Sequence, residues 1–316
     1  MARNMEPAVQ TMTFTNITAP AAGSSTSYID LSQCASIINR RFYRQGLNWA
    51  VAGFKITAAG GSGIIQVAKL HNTWITSNAW EKTMRHWLKQ QNDALKEAGA
   101  ESTSARFRDY KIFMDDTHVN QFLATGSSSV VSNLIPFPGQ GQGTWGPSQI
   151  VIPNDGGVPG NSVEYLVKMY GGNDANAKDI VEGYQESRSI PFNPDPNTIG
   201  PVKDSWLSEM TFVGDQEGDV LDNAQLKNRT LPYDDNDYPG SPGNNGAPIL
   251  HDQSYITTTT IGGTTRLKGG NFPCGLIKFG VVNLEAPGGE DLTLTLQIDL
   301  VPGHHRGYLC EPMTEM

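Results

Sequence analysis

The chain has 316 residues, of which 17% are charged, and it contains 34 glycines and 19 prolines. A chain of this length can bury one large β domain or two domains of ordinary size, and abundant Gly and Pro favour short strands joined by turns over helical bundles. The formal net charge of -9 argues against a protein whose whole surface binds nucleic acid.

The charge is unevenly distributed along the chain. Residues 1–120 carry 13 Lys and Arg against 9 Asp and Glu, a net charge of +4, whereas residues 121–316 carry 10 against 23, a net charge of -13. The span 204–252 alone holds 2 basic and 10 acidic residues, a net charge of -8. One part of the protein can therefore face a polyanion while the other faces solvent.

The cysteines predict neither a disulfide framework nor a zinc site. Cys34, Cys274 and Cys310 are odd in number and far apart, so we interpret them as reduced, buried side chains. The first ten residues contain no apolar targeting region, and no apolar run reaches transmembrane length. We therefore expect a soluble protein, made in a reducing compartment, with no membrane partner.

Alternating apolar and polar residues predict a series of short strands. Residues 11–18 alternate as a half-buried strand does, and residues 28–31 form a second extended piece. Residues 48–57 and 63–70 flank the glycine-rich turn 60–63 and predict a β-hairpin, because glycine supplies the positive φ of tight turns. The remaining predicted strands are at residues 106–114, 149–152, 162–170, 206–213, 254–261, 276–284 and 292–301.

One amphipathic helix is predicted, at residues 79–98. Asn78 and Glu81 match the capping-box pattern at its start, and Gly99 occupies the position of a C-terminal cap glycine. Large apolar residues share one stripe at helical spacing: Trp80, Met84, Trp87, Leu88 and Leu95. Basic residues lie largely off that stripe: Lys82, Arg85, Lys89 and Lys96. The helix is therefore predicted to place its apolar stripe on the core and to have a basic outer edge.

About nine or ten short strands with one inserted helix predict an all-β fold, specifically a single double-sheet jelly roll with a long loop-rich insertion. We divide the chain into an N-terminal arm (1–27), the first part of the jelly roll (28–170), a loop-rich acidic insertion (171–254), and the last strands with the C-terminal tail (255–316). Loops of this length are uncommon in compact domains, so the insertion is predicted to be exposed on one face or end.

The sequence contains no motif typical of an enzyme. Residues 141–146 match G-x-G-x-x-G formally, but they lack the strand before and the helix after that a dinucleotide site requires. His304 and His305, with Cys310 and Glu311, do not supply the converging ligand set of a zinc site, so we interpret them as surface or interface residues. We predict a non-enzymatic protein with no cofactor.

One acidic run and one acidic pair are weak candidates for calcium binding, which could bridge subunits. Residues 234–237 are dense in the hard oxygen ligands that Ca²⁺ prefers, but they lack the glycine and distal glutamate of an EF-hand. We therefore interpret this run as a solvated loop. Asp115 and Asp116 follow a predicted strand and form the second candidate.

A basic and aromatic segment, which we call the arginine corner, precedes the strand predicted at residues 48–57. It consists of Arg40, Arg41, Phe42, Tyr43 and Arg44. In one interpretation its arginines form structural ion pairs within or between subunits, because Arg forks suit buried pairing. In the other they contact nucleic-acid phosphates while Phe42 or Tyr43 stacks on bases, with Arg85 and Lys89 of the predicted helix adding to the basic surface.

The residues around this corner resemble a known family. Residues 28–32 (YIDLS) and 36–46 (SIINRRFYRQG) are similar to the N-terminal part of capsid proteins from small circular single-stranded-DNA viruses that encode their own replication initiator, in the smacovirus and pecovirus-like groups. Residues 77–80 and 106–112 look similar as well. The likeness covers roughly residues 28–115.

The resemblance implies a jelly-roll shell protein that assembles with copies of itself into an icosahedral particle around circular single-stranded DNA. It implies location in the virion, synthesis in the host cytoplasm or nucleus, and an outward projection at residues 171–254. Many such proteins carry an arginine-rich N-terminal arm, but here the first 27 residues hold one basic residue, Arg3. DNA contact is therefore expected from the folded surface, at the arginine corner, Arg85 and Lys89.

Two other classes stay open on the residues alone. A soluble carbohydrate- or ligand-binding β-sandwich would use aromatic and acidic loop residues. A jelly-roll enzyme of the cupin type is less favoured, because no His/His/Glu spacing lies on a pair of predicted strands.

Overall fold

The computed structural model describes residues 8–104, 108–124, 133–137, 146–153, 160, 162–187, 246–259 and 263–316. The strands in these residues are β1 Thr11–Ala19, β2 Ser24–Asp30, β3 Leu47–Gly60, β4 Ser62–Lys69, β5 Gln149–Pro153, β6 Ser162–Lys168, β7 Ala177–Asp179, β8 Ile249–Thr257, β9 Thr264–Phe272, β10 Leu276–Asn283, β11 Leu292–Leu300, β12 Pro302–Gly303, β13 Gly307–Tyr308 and β14 Cys310–Pro312. The helices are α1 Leu31–Asn39, α2 Trp74–Glu97, α3 Asp116–Ala124 and α4 Ile180–Ser187.

Two antiparallel sheets form the main body. Sheet A has the order β1-β11-β3-β14, and β9 pairs with β3 on the side away from β11. Sheet B has the order β2-β10-β4-β8. Residues from both sheets meet in one apolar core, which includes Phe14 and Ile298 of sheet A and Ile65 and Phe279 of sheet B. The protein is thus mostly β and has the layering of a β-sandwich, which agrees with the predicted all-β class.

Period-two burial shows why these segments are strands. Along β11 the residues alternate between buried and half-buried over the whole strand, with Leu294, Leu296 and Ile298 buried in the core between the sheets. In β2 the neighbours Tyr28 and Ile29 point to opposite faces, and both are fully buried. Sheet B is therefore covered on two sides at this end.

The second cover is a helical layer with its own apolar core. This core contains Tyr28 and Leu276 from sheet B, Ile75 and Trp80 from α2, and residues of α4, β6 and the C-terminal turn. A short sheet of β5, β6 and β7 belongs to the same layer, with β6 and β7 parallel.

The predicted hairpin between residues 48–57 and 63–70 is wrong. β3 lies in sheet A and β4 in sheet B, and Gly61, with φ 76°, carries the chain from one sheet to the other. Both strands alternate in burial, and each turns its apolar face to the core between the sheets instead of pairing with the other at its edge.

The long helix is confirmed, but it begins earlier than predicted. Its N-cap is Thr73, whose hydroxyl accepts a hydrogen bond from the Thr76 amide at 3.5 Å, and Asn78 lies inside the helix. The first turn extends to Trp74 because Ile75 is buried in the second core. Gly99 follows the last turn with φ 62°, as predicted for a cap glycine.

Other elements differ from the prediction. Helices α1, α3 and α4 were not predicted; α1 starts where the carboxylate of Asp30 accepts hydrogen bonds from the amides of Ser32 and Gln33, at 2.8 and 3.3 Å. The strand predicted at 106–114 is not a regular strand in its described part, which has one isolated parallel bridge from Phe113 to Lys168. The strand predicted at 206–213 lies outside the described residues.

The boundaries of two predicted segments do not match the boundaries of the sheets. The N-terminal arm, residues 1–27, contributes β1 and the start of β2, so its described part belongs to both sheets. The predicted acidic insertion, residues 171–254, contributes β7, α4 and the start of β8, and residues 188–245 lie outside the described part of the chain.

A buried polar network joins the sandwich to the helical layer. Asp115 accepts hydrogen bonds from the Tyr28 hydroxyl and from the Lys278 ammonium, both at 2.6 Å. His118 stacks on the Tyr28 ring at a centroid distance of 4.1 Å. Its Nδ1 accepts from the Met114 amide, so the neutral ring donates through Nε2 to Asn133, and burial lowers its pKa to about 4.

We expect Leu296→Ala to lower the free energy of unfolding by about 2–5 kcal/mol, because it removes a buried side chain from the core between the sheets and leaves a cavity. The matched control is Thr295→Ala, the neighbour on the opposite face of β11, with an expected cost below about 1 kcal/mol. Chemical denaturation of the full chain measures both. Equal effects would contradict the assigned inner face.

Candidate functional site

Tyr43 anchors the arginine corner to the core. Its side chain is 2% exposed, and its hydroxyl donates to the Arg306 carbonyl at 3.0 Å. Its ring lies 5.9 Å from that of Trp49 and 5.5 Å from that of Tyr308. Tyr43 therefore packs between β3 and the C-terminal strands. Its buried ring is not available for stacking on a base, which differs from one interpretation of the sequence.

The three arginines of the corner have different surroundings. Arg41 is half-buried, and its guanidinium opposes the increase that burial causes in the pKa of Tyr43. Arg40 is exposed and ends α1 in the left-handed region, with φ 54°. Arg44 is exposed and forms no hydrogen bond or ion pair with any residue that the structure describes. The corner thus turns Arg41 towards the protein and Arg40 and Arg44 towards solvent.

Arg44 and Phe42 line a cavity of about 740 Å³. The cavity lies between the arginine corner, one face of α2, the segment 108–110 and the C-terminal residues 305–314. Its aromatic lining residues are Phe42, Trp80, Trp87 and Tyr110. Its charged or titratable lining residues are Arg44, Arg108, Asp109, His305 and Arg306.

The aromatic wall is held by close packing. Trp80 is 5% exposed and lies directly against Gly46, where a Cβ atom would be 2.3 Å from the indole ring. The Tyr110 ring lies 6.0 Å from that of Trp80 and 5.7 Å from that of Trp87. Gly46 is therefore needed so that the chain can pass beneath Trp80 and still place the arginine corner at the cavity.

Cationic groups outnumber carboxylates in the lining. Arg306 donates through Nη1 to the Phe42 carbonyl, and Arg108 donates to the side chains of Asn92, at 2.6 Å, and Ser104. These hydrogen bonds fix two guanidinium groups and leave their other N–H groups available. Burial, with the nearby Arg306, lowers the pKa of His305, so that ring is neutral at pH 7. The site therefore favours an anionic ligand.

Asp109 is the carboxylate of this lining, and its side chain is 9% exposed. Oδ1 accepts from the Gln45 amide at 3.1 Å, and Oδ2 lies 3.6 Å from the Lys111 ammonium. Burial raises the pKa of Asp109 to about 6; the Lys111 charge opposes this shift, and the charge of Asp30 adds to it. The Gln45 side chain also joins the corner to Ile112, accepting from its amide at 2.7 Å.

The remaining predicted site residues do not line this cavity. Arg85 and Lys89 are exposed on α2, where Arg85 pairs with Glu81. They face solvent, as predicted for the basic edge of the helix, but they lie outside the cavity lining that contains Arg44.

The candidate calcium pair is occupied by lysines. Asp115 binds Lys278, and Asp116 pairs with Lys168, which is fully buried and also contacts Asp174 at 2.5 Å. Residues 234–237 and most of the 141–146 motif lie outside the described residues. Within the described chain no group of three or more His, Cys, Asp or Glu side chains is placed to hold a metal ion.

The C-terminal histidines and the cysteines have structural surroundings. The Glu311 carboxylate accepts from the Asn48 side chain at 2.8 Å, so it does not converge with His304, His305 and Cys310. All three cysteines are free thiols, with Cys34 and Cys274 buried, as expected, and Cys310 half-buried.

The cavity was missed in the sequence because its lining comes from four distant segments. Trp80 and Trp87 were interpreted as core residues of an amphipathic helix, and Trp80 is indeed buried. No spacing in the sequence places them beside Arg306 or Asp109. The weak signal that was present is the density of arginine and aromatic residues around 42–44 and 106–110.

We expect Asp109→Asn to stabilise the protein at pH 7.5 by about 2 kcal/mol and to have almost no effect at pH 4. The folded-state pKa of Asp109 lies above the unfolded value, so ionisation of Asp109 reduces stability as the pH rises from about 4 to about 6, and the loss is then complete at higher pH. Asparagine keeps the acceptor for Gln45 and carries no charge. Chemical denaturation at the two pH values measures the effect.

The control for this prediction is Asp93→Asn, which removes an exposed carboxylate from α2. Its effect should be small and similar at both pH values. If Asp109→Asn instead destabilised the protein at pH 7.5, the attraction between Lys111 and the Asp109 carboxylate would be larger than the cost of burying that carboxylate.

Comparison with known proteins assigns no relative to this arrangement. No protein-family model, no curated protein and no solved structure matches the chain. Among the described helices none is both long and apolar enough to cross a membrane.

Proposed function

We propose that the protein is a structural, non-enzymatic subunit of a viral capsid, and that its sandwich is a single jelly roll. The jelly-roll part of the proposal rests on the pairing of the eight long strands, β1 to β4 and β8 to β11. The first pairs with the eighth, the second with the seventh, the third with the sixth and the fourth with the fifth.

This pairing is that of one long antiparallel hairpin. When such a hairpin is rolled up, alternate pairs fall into opposite sheets, which gives the orders β1-β11-β3-β9 and β2-β10-β4-β8. Jelly rolls are eight-stranded, double-sheet folds of this kind, and they occur in viral capsids, lectins and cupins. The strand order supports a jelly roll but does not by itself select among these classes.

The resemblance of residues 28–46 favours the capsid class. These residues form the end of β2, helix α1 and the arginine corner, so the resembling segment is the connection between the two sheets. The described surface also exposes large apolar residues that a shell subunit can bury against its neighbours, and three of them lie on β8: Ile249, Leu250 and Tyr255.

The proposed partners are copies of the chain and a single-stranded DNA genome, and the proposed location is the virion. Support for the nucleic-acid partner comes from Arg40 and Arg44, which are exposed beside a cavity lined by further arginines. A host receptor would contact the outer surface of the particle.

The cavity also favours a second candidate, a soluble ligand- or carbohydrate-binding β-sandwich. Aromatic walls with a few charged groups are typical of ligand sites. Binding of the purified protein to a glycan array without any assembly would support this candidate over the capsid subunit.

We expect the purified full chain to form uniform closed particles in electron micrographs, since a shell subunit carries its interfaces on several edges. The measurement is negative-stain microscopy with size-exclusion chromatography over a range of salt and pH. A stable monomer under all of these conditions would contradict the proposal.

We expect Arg40→Ala combined with Arg44→Ala to reduce the nucleic acid in purified particles and to leave the fold intact, because the two solvent-facing arginines of the proposed DNA contact are lost. The ratio of absorbance at 260 and 280 nm measures packaging, and circular dichroism checks the fold. Loss of particles with a folded monomer would instead identify the corner as a subunit interface.

A further inference from the structure

We propose that the cavity beside the arginine corner binds one unstacked base of a single-stranded polynucleotide together with an adjoining phosphate. The inference rests on the proposed function, because it assigns the nucleic-acid partner to a defined site. It differs from a diffuse basic surface in that one base enters a pocket and contacts aromatic rings.

The size and shape of the cavity fit a planar ring. Its volume of about 740 Å³ lies within the range of about 300–1,000 Å³ found for small-molecule sites. Phe42, Trp80, Trp87 and Tyr110 all line the cavity. Phe42 and Trp87 are half-buried, and Trp80 and Tyr110 are buried. Stacking on such rings is sequence-tolerant, because every base has a π-face.

The charges of the lining fit a phosphate. The lining contains three guanidinium groups, those of Arg44, Arg108 and Arg306, and one carboxylate, that of Asp109. This local excess of positive charge contrasts with the net charge of -9 of the whole chain. Arg44 has no hydrogen-bonding or ionic partner within the described part of the chain, and it is exposed. An unpaired Arg fork matches the geometry of a phosphate, which it can bind through two hydrogen bonds.

Preorganisation supports a specific site. Arg306 is held by the Phe42 carbonyl, and Arg108 by Asn92 and Ser104, so these cations are positioned before any ligand arrives. The Trp80 ring is fixed by its contact with Gly46. Base and phosphate are then recognised by groups on four segments that the fold already holds together.

The geometry also predicts strand selectivity. A base in a duplex is stacked on both faces and paired at its edge, so it cannot enter a concave site without being extruded. We therefore expect single strands to bind more tightly than duplexes of the same length, with little dependence on base identity.

The test uses the purified full chain and a fluorescein-labelled ten-nucleotide thymidine oligomer, (dT)10, with fluorescence anisotropy as the readout. Four unlabelled competitors separate the sources of binding: (dT)10, an abasic oligomer with the same number of phosphates, a duplex of the same length, and free thymidine monophosphate. We expect (dT)10 to compete best, the abasic oligomer and the duplex weakly, and the mononucleotide to compete only at high concentration.

Three variants locate the site. Arg44→Ala should weaken (dT)10 binding about tenfold, as expected for one charge-assisted contact, and Trp87→Leu should weaken (dT)10 binding while leaving binding of the abasic oligomer unchanged. The matched control is Arg266→Ala, which removes an exposed arginine from β9 outside the cavity lining and should change the affinity less than about twofold. Circular dichroism confirms that each variant is folded.

The inference is overturned if wild-type protein does not bind (dT)10, if the abasic oligomer competes as well as (dT)10, or if Arg44→Ala and Arg266→Ala have equal effects. Electron microscopy of the same samples separates it from the proposed function. Particles without cavity-dependent binding would leave the capsid proposal standing and overturn this one. Cavity-dependent binding without particles would support the binding of a base and phosphate at the cavity and overturn the capsid proposal.

Discussion

Most long strands of the sandwich have an apolar face that is stable only when the opposite sheet covers it, and much of the fold follows from this constraint. Because side chains alternate along a strand, covering one face commits every second residue of β11 to the core. The same constraint applies to β3 and β4, which lie in different sheets and both bury their apolar faces in the core between the sheets. At β2 the alternation also supplies Tyr28 to a second core, so the helical layer attaches there.

The helical layer is attached by polar as well as apolar contacts. Asp115 is nearly buried and would be costly there alone, but it is paired with Lys278 and hydrogen-bonded by Tyr28. His118 completes the network as a neutral ring, because burial holds its pKa well below the usual range. Gln45 adds a second connection, from the arginine corner to Ile112. The contacts of Gln45 with Asp109 and Ile112 hold the segment 108–110 beside the arginine corner, and residues of both line the cavity.

The arginine corner combines the two roles that its composition suggested as alternatives. Tyr43 and Arg41 turn inwards and tie the segment to the C-terminal strands, whereas Arg40 and Arg44 turn outwards. A structural role for one half of the segment is what positions the other half beside the aromatic wall. In a capsid subunit, as proposed, such a segment would link the scaffold of the shell to its nucleic-acid partner without any catalytic group.

The sequence by itself determined the local elements that have strong periodicity or clear end signals. The alternation of β1 and β11, the apolar stripe of α2 and the cap at Gly99 could all be predicted, because period and cap chemistry are local properties. Only the tertiary structure decided which strands pair, that Tyr43 is buried, and that Arg44, Trp87 and Arg306 share one cavity. These features depend on contacts between residues far apart in the chain, and a local pattern contains no information about which distant segment will cover it.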